Sequence, residues 1–215
     1  MRGCDHQFQA LLDAASELDA PPTGDRYANH GRLSAVVVLG LAGPRVSELC
    51  SARWRDFHSS EATLHIPASK TAAGERDVEL HQFVLRVLTD RRDRLDPRPG
   101  EFIWATAAGT RRDRNNVRNR LLAPVIARAD ELLSERGRRP LPRPGSASAE
   151  QVDRAPPRVT PHTFRRTYLT YLAWAGRHQR FAMGQAGHKD AKLTLEVYQQ
   201  PLPSKFDERV AEWLR

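Results

Sequence analysis

The chain has 215 residues, 40% hydrophobic and 28% charged, enough to bury one sizeable core but not two independent ones. No apolar run approaches the roughly 18 residues that a membrane span requires, and two cysteines, Cys4 and Cys50, make neither a disulfide framework nor a metal cluster. The net charge of +8 favours a polyanionic partner, nucleic acid ahead of membrane, although a GC-rich genome, which writes Arg and Ala freely, would give the same bias. The expected location is the reducing cytosol.

In chain order, FQALLDAASEL (8–18) has the apolar spacing of a first helix, and PPTGD (21–25) is a turn. RLSAVVVLGLAG (32–43) is nearly all apolar, which predicts a central core helix ended by Gly43. Pro44 suits the first turn of a second helix, PRVSELCSARW (44–54). In ATLHIPASKTAAGERDVEL (62–80), Leu64 and Ile66 share one face, as do Val78 and Leu80, so a β-hairpin is expected. HQFVLRVLTDRRDRL (81–95) returns to helical spacing and EFIWA (101–105) is a short apolar piece. Residues 111–137 read as a helix dense in arginine over its first half and interrupted by Pro124. The stretch 138–158 carries five prolines and reads as a flexible insertion within a single domain, 1–215. Helices are expected again over 159–176 and 192–200, and over 204–215, where Ser204 is a candidate cap for a stripe of Phe206, Val210, Trp213 and Leu214. The fold class is mainly α with one small antiparallel sheet.

The polar residues of VTPHTFRRTYLTYLAWAG (159–176) are oddly placed, since cations at a helix N-terminus oppose the backbone dipole. Thr160 suits the N-cap and Pro161 the first turn, which puts His162 and Arg165 on one face in front of free backbone N–H groups. Such an arrangement suits a phosphate, but a solvated polar face with incidental basic residues fits the same pattern. GPRVSEL (43–49) repeats the theme: Arg45 starts a helix and Glu48 follows three residues on, either an ordinary surface pair or an Arg aimed at a shared anion. Only four of the 34 basic residues are lysines, and one of them, Lys70, sits at the hairpin tip. It is either a solvated turn residue or, because an ammonium can surrender a proton where a guanidinium cannot, an acid reaching into a groove. His188 follows a glycine in AGHKD, and Tyr198 comes ten residues later. That tyrosine reads as a core or rim aromatic, or as a nucleophile if two arginines and two histidines surround it.

Together, AGPRVSEL, the hairpin lysine, HTFRRT, AGHKD and the tyrosine ten residues after that histidine resemble the catalytic boxes of the tyrosine recombinase, or phage integrase, family, in its order and spacing. The resemblance implies a site-specific DNA recombinase that cleaves and rejoins strands through a 3′-phosphotyrosine, needing no metal, ATP or other cofactor. Arg45 and Arg165 would bind the scissile phosphate, Lys70 would protonate the leaving 5′ oxygen, and His162 would assist as acid or base. His188 would hydrogen-bond the phosphate, Tyr198 would attack it, and Glu48 would support the site. Double-stranded DNA would also be met by Arg111, Arg112, Arg114, Arg118 and Arg166, the last standing where the family commonly has His. Such enzymes act as tetramers on paired DNA sites, and a monomer is expected without DNA, the C-terminal stripe docking either on a neighbour or on its own core. Only about 30 residues precede the central helix, against roughly a hundred for a further domain, so the family's N-terminal DNA clamp is expected to be absent and DNA binding to be weak and salt-sensitive. The alternatives are an idle DNA-binding module of the same fold, a type IB topoisomerase-like strand transferase, or a metal hydrolase built on His162 and His188, for which no HExxH spacing exists.

Overall fold

The computed structural model describes residues 4–20, 31–67, 74–141 and 159–187. The turn at 21–25, the tip of the hairpin, residues 142–158 of the proline-rich insertion and the two last expected helices lie outside the described residues.

The organising element is helix α2 (Arg32–Leu41), in which every residue from Ser34 to Leu41 is buried. A helix apolar on all sides must be surrounded. Helices α1 (Cys4–Asp19), α4 (Gln82–Leu95) and α7 (Pro161–Trp174) all pack against it, and α1 also packs on α6 (Ala123–Glu135). Phe8, Leu11, Leu12 and Ala15 bring the apolar side of α1 into this core, joined by Val84 and Leu88 from α4 and Phe164 and Tyr171 from α7. At the N-terminal end of α2 the Trp104 indole donates to Ser34 Oγ at 3.0 Å, and the Arg91 guanidinium, almost fully buried, donates twice to the Ile103 carbonyl. Burial pushes Arg91 down to about 10, since a desolvated cation is disfavoured.

The sheet has three antiparallel strands in the order β1 (Phe57–His58), β2 (Thr63–Ile66), β3 (Arg76–Glu79). Leu64 stands opposite Val78 and Ile66 opposite Arg76. Leu64, Ile66 and Val78 face the core, as the alternation in the sequence requires, with Leu80 buried just past the strand. Strand β1 has only two residues, too few to leave a period in the sequence.

Several boundaries differ from those the sequence suggests. Pro44 precedes helix α3 rather than opening it: Arg45 is the N-cap, and the helix runs only over Val46–Ser51. A single turn of 3-10 helix, Trp54–Asp56, and a bridge from Arg53 to Phe102 follow, so the 44–54 run bends away before its end. Pro124 does not interrupt its helix. Residues Arg114–Asn116 (α5) lead into a π-helical turn, Val117–Leu122, which passes directly into α6. The widened turn lies just ahead of the residue that has no N–H to give, a position where a normal α-turn would meet the proline ring. Helix α7 starts as its sequence indicates, with the Thr160 hydroxyl accepting the Thr163 N–H at 3.3 Å. An unexpected helix, α8 (Gln179–Ala186), fills what reads as a connector.

Gly43 joins α2 to α3 with φ of +63°, and a Cβ added there would meet the Tyr168 ring at 2.3 Å. Gly43→Ala combines left-handed backbone strain with overpacking and should lower stability by at least about 2 kcal/mol in urea denaturation. A change below about 0.5 kcal/mol would show that the ring moves aside without cost.

Candidate active site

The turn at Gly43 delivers Arg45 to the start of α3, where Glu48 reaches back to it. Glu48 Oε2 accepts the Arg45 backbone N–H at 2.7 Å, and Oε1 accepts the Arg45 guanidinium at 2.8 Å. The same carboxylate receives a bidentate pair from Arg76 at the start of β3, Nη2 to Oε2 at 2.9 Å and Nη1 to Oε1 at 3.1 Å. The side chains of Arg76 and Glu48 are each only 8% exposed, which makes this a buried ion pair rather than a surface one.

Both arginines also tie down the end of α8. Arg76 Nε donates to the Gln185 carbonyl and Arg45 Nη2 to the Gly187 carbonyl, each at 2.9 Å. The buried Gln185 side chain in turn accepts the Glu79 N–H of β3 at 2.9 Å. Gly187 closes α8 with φ of +62°, and a Cβ there would press against the Arg76 guanidinium at 2.8 Å. Arg165, on the second turn of α7, is buried in the same cluster: it donates to the Gly43 carbonyl at 2.7 Å and to the Ala186 carbonyl.

Three guanidiniums therefore gather around one carboxylate, an excess of two positive charges. Burial pushes Arg165 down to about 10, and the charge of Arg45 adds to this while Glu48 opposes it. Burial would by itself raise Glu48, but the hydrogen bonds and charge of Arg76, with those of Arg45, outweigh it and hold the carboxyl below its ordinary value. Arg45, its side chain 44% exposed, is the part of the cluster that solvent and a ligand can reach. Chemically, an excess of fixed guanidinium charge beside an exposed arginine suits an anion.

Of the residues singled out in the sequence, the structure brings Arg45, Glu48 and Arg165 together. His162 lies exposed in the first turn of α7, one turn before Arg165. Lys70, His188 and Tyr198 lie outside the described residues. Arg114, Arg118 and Arg166 are exposed, and so is Arg111, which donates to Ser51 Oγ at 2.7 Å. Arg112 instead points inward and is 9% exposed, because the extended run before α5 alternates, leaving its neighbours Arg111 and Asp113 outside. Among the described residues no group of three or more His, Cys, Asp or Glu could hold a metal ion, and no helix is long and apolar enough to cross a membrane.

Arg76 escapes a reading based on helix starts and lysine scarcity. Its signal is nonetheless present: Arg76, Val78 and Leu80 share the inward face of an alternating strand, and a cation on that face needs a buried partner.

The chain matches the phage integrase family over residues 5–205 and belongs to it. Its fold is that of solved recombinase structures. XerA recombinase is 21% identical, with a TM-score of 0.64 over 91% of this chain and 58% of that one. The Tn1549 transposon integrase in complex with circular intermediate DNA is 19% identical, with a TM-score of 0.59 over 93% of this chain and 63% of that one. XerH site-specific recombinase bound to a palindromic difH substrate, in a post-cleavage complex, is 12% identical, with a TM-score of 0.61 over 91% of this chain and 48% of that one. The chain thus spans roughly half to three-fifths of the length of these structures. No curated protein sequence matches it.

The buried pair makes a directional prediction. Because the folded-state value of Glu48 lies below the ordinary 4.5, its contribution is fully present above that pH and fades as pH falls through the lower value. Arg76→Met should cost about 3 kcal/mol near neutral pH, and the gap from wild type should narrow in acid, as pH falls through the lowered value of Glu48 and wild type loses the pair too. Urea unfolding at neutral and at acid pH measures this; an equal gap at each would separate Arg76 from the Glu48 charge.

Proposed function

We propose that this chain is a DNA strand transferase: a site-specific recombinase or integrase catalytic domain comprising residues 1–215, with 138–158 as an insertion. The observation that carries the reading is the excess positive charge around Glu48, with Arg45 and Arg165 converging from α3 and α7 on the same turn at Gly43. Displacing an alkoxide from a phosphodiester builds negative charge on the non-bridging oxygens, and fixed guanidiniums stabilise that charge without reorganising.

In this reading Tyr198 attacks the phosphorus and forms a 3′-phosphotyrosine as the bond to the 5′ oxygen breaks. Lys70, carried in sequence between β2 and β3, gives the leaving oxygen its proton. His162 takes the phenolic proton, and His188, the residue after Gly187, hydrogen-bonds the phosphate. The energy of the broken ester is kept in the new one, so rejoining is the reverse attack by a 5′ hydroxyl and needs neither ATP nor a metal. Arg111, Arg114, Arg118 and Arg166 contact the flanking backbone. Four copies assemble on paired DNA sites and separate to monomers without DNA, in the cytoplasm where the chromosome lies.

A suicide duplex, nicked beside the cleavage point so that rejoining fails and drawn from a pool of candidate sites, tests the assignment. Wild type should form an SDS-resistant covalent adduct in the presence of EDTA, and Tyr198→Phe should form none. An adduct that persists in Tyr198→Phe would remove that residue as nucleophile. Binding without any adduct would point to an idle DNA-binding module.

A further inference from the structure

At the other end of α2 from this cluster, about 14 Å away along a helix rising 1.5 Å per residue, lies an open cavity of about 680 Å³. Its volume falls within the range of small-ligand sites. Arg32, Arg112 and Arg120 line it with Asn116, Asn119 and Leu121, and no carboxylate lines it among the described residues. Arg112 is about nine-tenths buried, yet its Nε finds no hydrogen-bond partner. A buried guanidinium nitrogen left unsatisfied is costly unless something arrives to accept from it.

The wall of the cavity is itself unusual. Asn119, Arg120 and Leu121 belong to the π-helical turn Val117–Leu122 that accommodates Pro124, and such turns are frequent at functional sites. Its neighbouring rim is the tight loop between Ala105 and Arg111, held by Thr106 and Thr110 at 2.7 Å between their hydroxyls. Burial and the charges of Arg32 and Arg120 all press the Arg112 guanidinium below its ordinary value, a tension that a bound anion would relieve.

We propose that this cavity is a second anion site, for a phosphate group held by Arg112 and Arg120 with the Asn119 amide, and distinct from the cluster at Glu48. The Asn116 amide on its wall is already engaged by the Asp113 carboxylate. The site does not depend on the strand-transfer reading. Guanidinium forks and a side-chain amide facing an acid-free cavity suit phosphate oxygens, either on a free phosphorylated ligand or on a DNA backbone.

Calorimetric titration of the whole chain with inorganic pyrophosphate tests this, using wild type, Arg112→Met, Arg120→Gln and Arg45→Ala. Arg112→Met keeps the apolar stem of a buried side chain, and Arg120, being exposed, gives a variant in which folding is not at issue. Wild type should bind pyrophosphate saturably, and Arg45→Ala should keep the one site in the pocket whatever it loses at the Glu48 cluster. Each pocket variant should bind there about ten- to a hundredfold more weakly, the worth of one charge-assisted hydrogen bond. Repeating the titration with a short duplex present distinguishes the sources. Displacement of pyrophosphate assigns the site to a DNA phosphate, and undisturbed binding assigns it to a free phosphorylated ligand. Absence of saturable binding in wild type would overturn the proposal. So would binding equal in the two pocket variants and wild type, or binding lost only in Arg45→Ala.

Discussion

The Glu48 carboxylate is where the elements of the candidate site meet. It caps the first turn of α3 through the Arg45 N–H, orients the Arg45 guanidinium, and takes a bidentate pair from Arg76 on β3. Those two arginines in turn hold the last carbonyls of α8. Helix ends leave carbonyls without intrahelical partners, so guanidiniums there satisfy what the helix cannot. Removing Glu48 would thus disturb a cap, a sheet edge and a helix terminus together. It would also leave three buried or half-buried cations without their counter-charge.

Stability alone does not require that arrangement. A buried ion pair recovers its desolvation cost only when its geometry is good and its remaining hydrogen bonds are made, and an apolar replacement is often as stable. What the ionic version adds is a preset excess of positive charge beside an exposed guanidinium. Arg165 shows the tension directly, since its charge is disfavoured by burial and by Arg45 until an anion arrives. A phosphodiester developing charge in a transition state is such an anion, and fixed donors bind it without moving.

Much of the fold was legible because its strongest elements announce themselves locally. The nearly all-apolar run 32–43 marks a buried element long enough for a helix, and Thr160 with Pro161 marks the start of α7 before any packing is considered. Arg45, Glu48 and Arg165 were legible as motif residues. What the sequence left hidden depends on tertiary partners. Arg76 becomes informative only once β3 is known to face inward, and α8 is short, with a polar Gln185 buried because β3 supplies the donor for it. The π-turn before Pro124 looks like a break until the chain on either side is seen to continue. Arg112 reads as one more surface cation in an arginine-rich stretch, and only the alternation of an extended segment turns it inward.

In the proposed reaction the cluster around Glu48 acts on the negative charge of a phosphodiester. The most direct measurement is the rate of covalent adduct formation on nicked duplexes that differ only at the scissile linkage, one an ordinary phosphate and the other an uncharged methylphosphonate, with wild type and Arg45→Ala. If the guanidinium serves to offset phosphate charge, Arg45→Ala should slow attack on the charged linkage by about a hundredfold or more and on the neutral one far less. An equal loss on both linkages would mean that Arg45 shapes the protein rather than the transition state, and would contradict the account.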